Sequence, residues 1–188
     1  MELKEKIADK IDRATSLVGR LASWLVLVVV LLGAWNAIAR YITRFTDAHL
    51  SSNAYLELQW YLFSAIFLLG AAYTLKRDEH VRVDVLYSNF RPVTRARIDF
   101  VGTLVFLIPF TLFILWTSWS PVHNSWKILE VSPDPGGLPR YPVKSLIPIA
   151  FLLVLAQAIS LLLKKWAYVR RHTGPDEPAK AHHGEVGL

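Results

Sequence analysis

The sequence contains no cysteine, so disulfides, thiolate metal sites and thiol catalysis are excluded. None of its six histidines lies in the middle of a long apolar stretch, and the axial ligand pair of a membrane cytochrome is therefore missing. A phosphate-binding glycine loop, a nucleophile elbow and a catalytic carboxylate pair are absent as well. We therefore expect no enzymatic activity, no cofactor and no bound metal.

Charge is missing from four long stretches of the chain. Hydrophobic residues make up 53% of the sequence and charged residues 19%, and no Asp, Glu, Lys or Arg occurs in residues 21–39, 58–75, 100–126 and 145–163. A helix needs about 20 apolar residues to cross a hydrocarbon core of about 30 Å. The sequence therefore predicts an all-α integral membrane protein with four transmembrane helices, at about residues 21–39, 56–75, 98–119 and 143–165.

The basic residues indicate an orientation. Of the 21 Lys and Arg, sixteen precede the first span, separate the second from the third or follow the fourth, and five lie in the other two loops. This bias predicts that both termini and the middle loop are cytoplasmic. Tryptophans near the span ends fit an aromatic belt, and they include Trp24, Trp35, Trp60, Trp116, Trp119 and Trp166. Because this topology accounts for the net charge of +6, we expect no nucleic-acid partner.

The two ends of the chain are polar. Residues 1–20 carry apolar side chains at intervals of three and four, at Leu3, Ile7, Ile11, Ala14 and Leu17. This spacing predicts an amphipathic leader helix in the cytoplasmic interface, either merely solvated or docked against a partner helix. Residues 21–166 form the predicted transmembrane domain. Residues 167–188 form a predicted disordered cytoplasmic tail.

Polar residues in or near the spans have structural explanations. Thr111, Gln157 and similar side chains favour hydrogen bonds between helices or to their own backbone. Glu57 is the one acidic residue near a span. We expect Asn53 to cap the second span and Glu57 to meet the positive end of its helix dipole, with contact to a partner protein as the alternative. Pro109 and Pro148 predict kinks.

Two loops carry distinctive sequence. KRDEHVRVD, residues 76–84, follows the second span as a charged collar. Residues 85–90 favour a short interfacial helix over an extended segment. The third loop contains SPDPGGLPRYP at 132–142, in which proline and paired glycines predict a stiff series of turns.

The spans themselves make a poor solute pathway. Transporters retain ionisable groups inside their spans, because charge in hydrocarbon is costly unless it has a function. They also show paired helix interruptions at the binding site. Neither feature occurs here. The residues alone therefore indicate a membrane subunit that supports a larger assembly.

Three stretches carry a family resemblance: LELQWYLFSAIFLLGAAYTL at 56–75, HVRVDVLY at 80–87 and GGLPRYPVKSLIPIAFLLVLAQAIS at 136–160. Together they resemble the small membrane subunit of tripartite ATP-independent periplasmic (TRAP) transporters, over roughly residues 15–171. HVRVD is the most specific of these motifs. The opening of the fourth span, with its Gly-Gly, Lys and Ile-Pro, is the next.

The resemblance implies a function. Such a subunit would scaffold a large permease subunit in the bacterial inner membrane, for secondary active, sodium-coupled uptake of a small organic anion (a carboxylate) that a periplasmic solute-binding protein delivers. The residues it singles out for partner contact or structure are Glu57, Gln59, His80, Arg82, Asp84, Gly136, Gly137, Pro139, Lys144 and Pro148. The alternatives are an assembly subunit of another inner-membrane complex and an autonomous four-span exporter of small solutes.

Overall fold

The computed structural model describes residues 2–46, 52–79 and 90–172. Its helices are α1 (Glu2–Thr43), α2 (Asn53–Arg77), α3 (Pro92–Gly102), a π-helical turn (Thr103–Leu107), α4 (Ile108–Lys127) and α5 (Tyr141–His172). Among the described residues, four helical segments are long and apolar enough to cross a membrane: α1, α2, the continuous segment at 92–127, and α5. This confirms the predicted all-α class and the predicted number of four spans. The orientation stays a prediction.

The leader is part of the first spanning helix. Helix α1 runs without interruption for 42 residues, or about 63 Å at 1.5 Å per residue. The predicted leader helix is therefore continuous with the first span, since no break occurs near residue 20. Ala8 and Thr15 are buried because this half of α1 packs against α5. The leader docks on a helix of its own chain.

The last helix also extends further than the sequence predicts. We expected a disordered tail from residue 167, but α5 continues to His172. Arg170, Arg171 and His172 occupy its last turn, where positive charge is favourable at the negative end of the helix dipole. The segment also pairs with the leader through Arg171 and Glu5. The predicted tail beyond residue 172 lies outside the described residues.

Helix α5 is the centre of the arrangement. It contacts α1, α2, α3 and α4, while α1 and α2 pack against each other as a second major interface. The contacts that α4 makes with other spans are concentrated on α5. The helices therefore form an open, layered group around α5.

The helix interfaces are built from small side chains. Every buried apolar residue among those described is an alanine: Ala8, Ala22, Ala39, Ala65, Ala72, Ala96, Ala150 and Ala158. The large apolar side chains point outward, and Phe67, Phe106 and Trp116 are each more than 70% exposed. Small residues at interfaces and large ones outside are typical of helices that pack within lipid.

The third span changes its helical pitch before Pro109. Proline lacks the backbone N–H that would bond to the carbonyl four residues earlier. The π turn at Thr103–Leu107 ends where the Ile108 N–H bonds to the Thr103 carbonyl, so the irregularity lies where the sequence predicts a disturbance. Pro148 lies inside α5, which remains α-helical through it.

Gly19 provides a test of the close α1–α2 packing. A Cβ at residue 19 would lie 2.6 Å from Tyr73 Cδ2 and 2.7 Å from Tyr73 Cβ. We expect Gly19→Ala to destabilise the protein in detergent by about 1–3 kcal/mol, the usual cost of overpacking. Gly70→Ala is the matched control, because its added Cβ would meet nothing within 4 Å. Equal unfolding midpoints for the two variants would contradict this account of the interface.

Candidate functional site

The first turns of α2 hold the loop between α4 and α5. Ser52, and not Asn53 as predicted, caps α2, with its hydroxyl accepting from the Ala54 N–H. Asn53 instead donates from Nδ2 to the Pro135 carbonyl at 3.0 Å. Tyr61 donates from its hydroxyl to the Leu138 carbonyl at 3.4 Å. We call this group, with Glu57, Ser132 and Leu138, the loop clamp.

Glu57 is the central residue of the loop clamp. Its carboxylate accepts from the Ser132 hydroxyl and, at 2.5 Å, from the Leu138 backbone N–H. The residue is only 4% exposed. The expectation that Glu57 meets the helix dipole, with partner contact as the alternative, did not include this main contact, a loop more than seventy residues away. Its role in contacting a partner stays a prediction.

The clamped loop is a short hairpin. The Arg140 N–H donates to the Glu130 carbonyl at 2.8 Å, and the Ser132 N–H donates to the Leu138 carbonyl at 3.2 Å. Val131 and Pro139 lie opposite each other between these two pairs. Proline suits this place because a residue between hydrogen-bonded pairs needs no N–H donor toward its neighbour. The Glu57 carboxylate accepts the N–H of Leu138.

The two glycines of the loop have different roles. The Gly137 N–H bonds to the Asp134 carbonyl at 3.0 Å, and Gly136 has φ +71. Pro135 followed by glycine at positive φ fits a type II turn. A Cβ at Gly137 would instead lie 2.5 Å from Ser132 Cβ and 2.9 Å from Glu57 Oε1. Gly136 thus permits the turn, and Gly137 permits the clamp to close.

Lys144 anchors the other end of the hairpin. Its ammonium group pairs with the Glu130 carboxylate, which also accepts from the Ser125 hydroxyl at 2.7 Å. The hydrogen bond from Lys144, and then that from Ser125, hold the pKa of Glu130 below its ordinary value. Beside them, Trp126 Nε1 donates to Ser145 Oγ at 2.7 Å. The start of α5 is therefore tied to the end of α4.

The other residues that the resemblance singles out do not join one cluster. Gln59 lies at the α1–α2 interface, where its Nε2 would be 3.5 Å from a Cβ added at Gly33. Pro148 lies within α5. His80, Arg82 and Asp84 of the collar lie outside the described residues.

A second cluster joins the leader to the last helix. Asp12 on α1 accepts from Gln157 Nε2 at 3.0 Å and from Ser160 Oγ at 2.8 Å, and its other oxygen pairs with Lys164. Thr15 donates to Gln157 Oε1 at 2.8 Å. We call these five residues the leader clamp. It confirms the expected interhelical bond of Gln157.

Further bonds surround the leader clamp. Lys76, at the end of α2, donates to the Asp12 backbone carbonyl at 2.9 Å and to the Ser16 hydroxyl. Lys165 of α5 pairs with Asp99 of α3 at 2.5 Å. These bonds and the leader clamp join α1, α2, α3 and α5 at the same end of the protein. Helix α5 takes part in the bonds to α1 and in the bond to α3.

Parts of both clamps escape sequence reasoning, although one signal was present. Asn53, Glu57 and Tyr61 recur every four residues and therefore lie on one face of α2, which indicates a polar stripe beyond a simple cap. Asp12 gives no comparable signal, because a charge in an amphipathic leader is expected to face water. Its partners are about 150 residues away in sequence.

The carboxylates of these clusters accept hydrogen bonds from other segments. Among the described residues, no group of three or more His, Cys, Asp or Glu is placed to hold a metal ion. Each of three carboxylates accepts from a donor on another segment: Asp12 from Lys164, Glu57 from the Leu138 N–H, and Glu130 from Lys144. Both clusters therefore fix the positions of helices and of one loop, and the loop presents its outer surface at the end of the spans.

Comparison with known families places this geometry in context. Residues 29–167 match the model of a family described as "Tripartite ATP-independent periplasmic transporters, DctQ component". The match covers roughly three quarters of the chain, including the whole loop clamp, and begins within α1, beyond Asp12 and Thr15. No curated protein is similar enough in sequence to match.

The loop clamp predicts protection of one backbone amide. Glu57→Gln keeps the side-chain size but removes the charge that accepts from Leu138 and Ser132. Hydrogen bonds to charged groups contribute about 1.5–3 kcal/mol, so we expect hydrogen exchange in residues 130–140 to accelerate about ten- to hundredfold. Glu79→Gln is the control, since the side chain of Glu79 is 56% exposed. Unchanged exchange in Glu57→Gln would refute the clamp.

The leader clamp predicts a difference between two neighbouring aspartates. Asp12→Asn leaves Lys164 without its close partner, and we expect it to destabilise the protein by about 1.5–3 kcal/mol and to expose the leader to protease. Asp9→Asn should change stability by about 0–1 kcal/mol, because the Asp9 side chain is 66% exposed and 4.0 Å from Lys164. Unfolding in detergent and limited proteolysis measure both effects. The same result for both variants would show that the cluster is only a surface charge.

Proposed function

Because the chain belongs to the DctQ component family of the tripartite ATP-independent periplasmic transporters, we propose that it braces the large permease subunit of such a transporter. Members of this family work with a large permease and a periplasmic binding protein. The proposed process is sodium-coupled uptake of a small organic anion, a carboxylate, that the binding protein delivers. The proposed location is the bacterial inner membrane, with both termini in the cytoplasm.

The observation that carries the bracing role is where charge lies along the helices. The central parts of the four spans contain no Asp, Glu, Lys or Arg, and the charged residues of both polar clusters, Glu57, Asp12 and Lys164, lie outside these stretches. Transporters retain ionisable groups at mid-depth to move charged cargo, and the charge-free stretches of the four spans contain no Asp, Glu, Lys or Arg. Cargo movement is therefore assigned to the large subunit.

The structure also suits a part that does not move. The loop clamp fixes α2 to the hairpin, the leader clamp fixes α1 to α5, and alanines allow close packing between them. A transport domain that shifts during its cycle needs a fixed surface against which to move. The large exposed apolar side chains, such as Phe106 and Trp116, give this rigid block an outer surface suited to lipid or to a partner span.

We propose two contact regions at opposite ends of the block. One is the outer face of the hairpin at Gly136 and Pro139, which Glu57 holds in place and which would meet the large subunit or the binding protein. The other is the collar, where His80, Arg82 and Asp84 would dock on the large subunit. Both regions lie beyond the apolar parts of the spans, where polar groups can be exchanged between water and a partner.

Reconstitution tests the bracing role. Liposomes are prepared with this chain alone, with the large subunit alone, and with both, each with the binding protein, a sodium gradient and a labelled carboxylate. We expect uptake only when both membrane subunits are present, because the small subunit has no Asp, Glu, Lys or Arg in the central parts of its spans. We also expect Glu57→Gln to reduce co-purification with the large subunit, since it releases the hairpin.

The same preparation contains its controls. Gly70→Ala, which meets no neighbour, should co-purify and transport like the unmodified chain. Uptake by liposomes that contain this chain alone would overturn the proposal. So would full uptake by the large subunit in the absence of this chain.

A further inference from the structure

A cleft opens between the leader and the end of α5. Its volume is about 430 Å³, within the range of about 300–1,000 Å³ typical of small-molecule sites. Ala8 of α1 and Leu163 and Ala167 of α5 line it with apolar surface. The cleft exists because α1 continues past the membrane-spanning residues and runs beside the polar end of α5.

The rim of the cleft has an excess of positive charge. Lys164, Arg170 and Arg171 all line it. Lys164 is paired with Asp12, and Arg171 is paired with Glu5 at 2.6 Å. Arg170 is exposed and makes no ion pair or side-chain hydrogen bond within the described parts of the chain. The Arg170 guanidinium is therefore available to bind an anion from outside the chain.

The depth of the cleft matches that of lipid headgroups. The apolar stretch of α5 ends at residue 163, and the cleft is lined from there to His172. Trp166 lies in the same segment, where an aromatic side chain marks the boundary between hydrocarbon and water. Basic pockets at this level between membrane helices attract anionic phospholipids.

We propose that this cleft binds the phosphate headgroup of an anionic phospholipid, with Arg170 as its main cationic contact. Arginine presents several N–H donors in a planar fork that matches phosphate oxygens. The apolar wall made by Ala8, Leu163 and Ala167 suits the glycerol and first acyl carbons of a lipid. That wall favours lipid over free phosphate. The site rests on membrane insertion, and it does not depend on the proposed transport role.

Lipid titration of the full chain tests the site. The purified protein in neutral detergent is titrated with phosphatidylglycerol or phosphatidylcholine, and bound lipid is counted by native mass spectrometry. We expect preferential binding of phosphatidylglycerol, weakened by salt because the attraction is electrostatic. Arg170→Gln should weaken that binding about fivefold, the effect of one basic residue near an anionic surface. Arg13→Gln, which removes an exposed charge from α1 away from the cleft, should leave it unchanged.

A second variant tests the open volume of the cleft separately from the charge on its rim. Ala167→Phe fills the cleft but keeps every charge, and we expect it also to weaken phosphatidylglycerol binding while phosphatidylcholine binding stays low. Inorganic phosphate at millimolar concentration should not displace the lipid. Equal losses in Arg170→Gln and Arg13→Gln, equal binding of the two lipids, or displacement by inorganic phosphate would each overturn the proposal.

Discussion

Lipid removes the force that usually drives helices together. Water-soluble helices associate because they bury apolar surface, but apolar side chains gain little by leaving hydrocarbon. The spans of this protein therefore associate through close backbone approach and through polar bonds. The buried alanines and the close contact at Gly19 meet the first requirement. The loop clamp and the leader clamp meet the second, because each gives the helices partners that they cannot find in lipid.

The position of these bonds decides what the protein can do. A buried polar group must be paired, since an unpaired one is costly in a medium without water. Asp12 and Glu57 satisfy that condition near helix ends, with lysine, hydroxyl and backbone donors around them. The middle of each span is left to apolar and small residues. The result is a block whose helices are joined by polar bonds toward both ends of the spans.

Sequence reasoning predicted what depends on local composition and missed what depends on distant pairing. Four apolar stretches without charge predicted the four spans, and Gln157 predicted an interhelical hydrogen bond. The leader was predicted to be an amphipathic helix, but its pattern does not say which surface covers the apolar face, and the structure shows that α5 packs there. For α5 the polar composition after residue 166 concealed the packing that keeps it helical to His172. The bonds of Glu57 depend on the hairpin. The turn residues of the hairpin were recognisable in the sequence, but the place on α2 where it docks was not.

The leader clamp joins the first helix to the last, across as many as 152 residues of sequence. During synthesis α1 enters the membrane long before Gln157, Ser160 and Lys164 have been translated. We therefore expect the Asp12 carboxylate to be hydrated at the membrane surface until the final segment is inserted. The cluster can therefore form only after the fourth span has been translated, although Asp12 lies near the start of the chain.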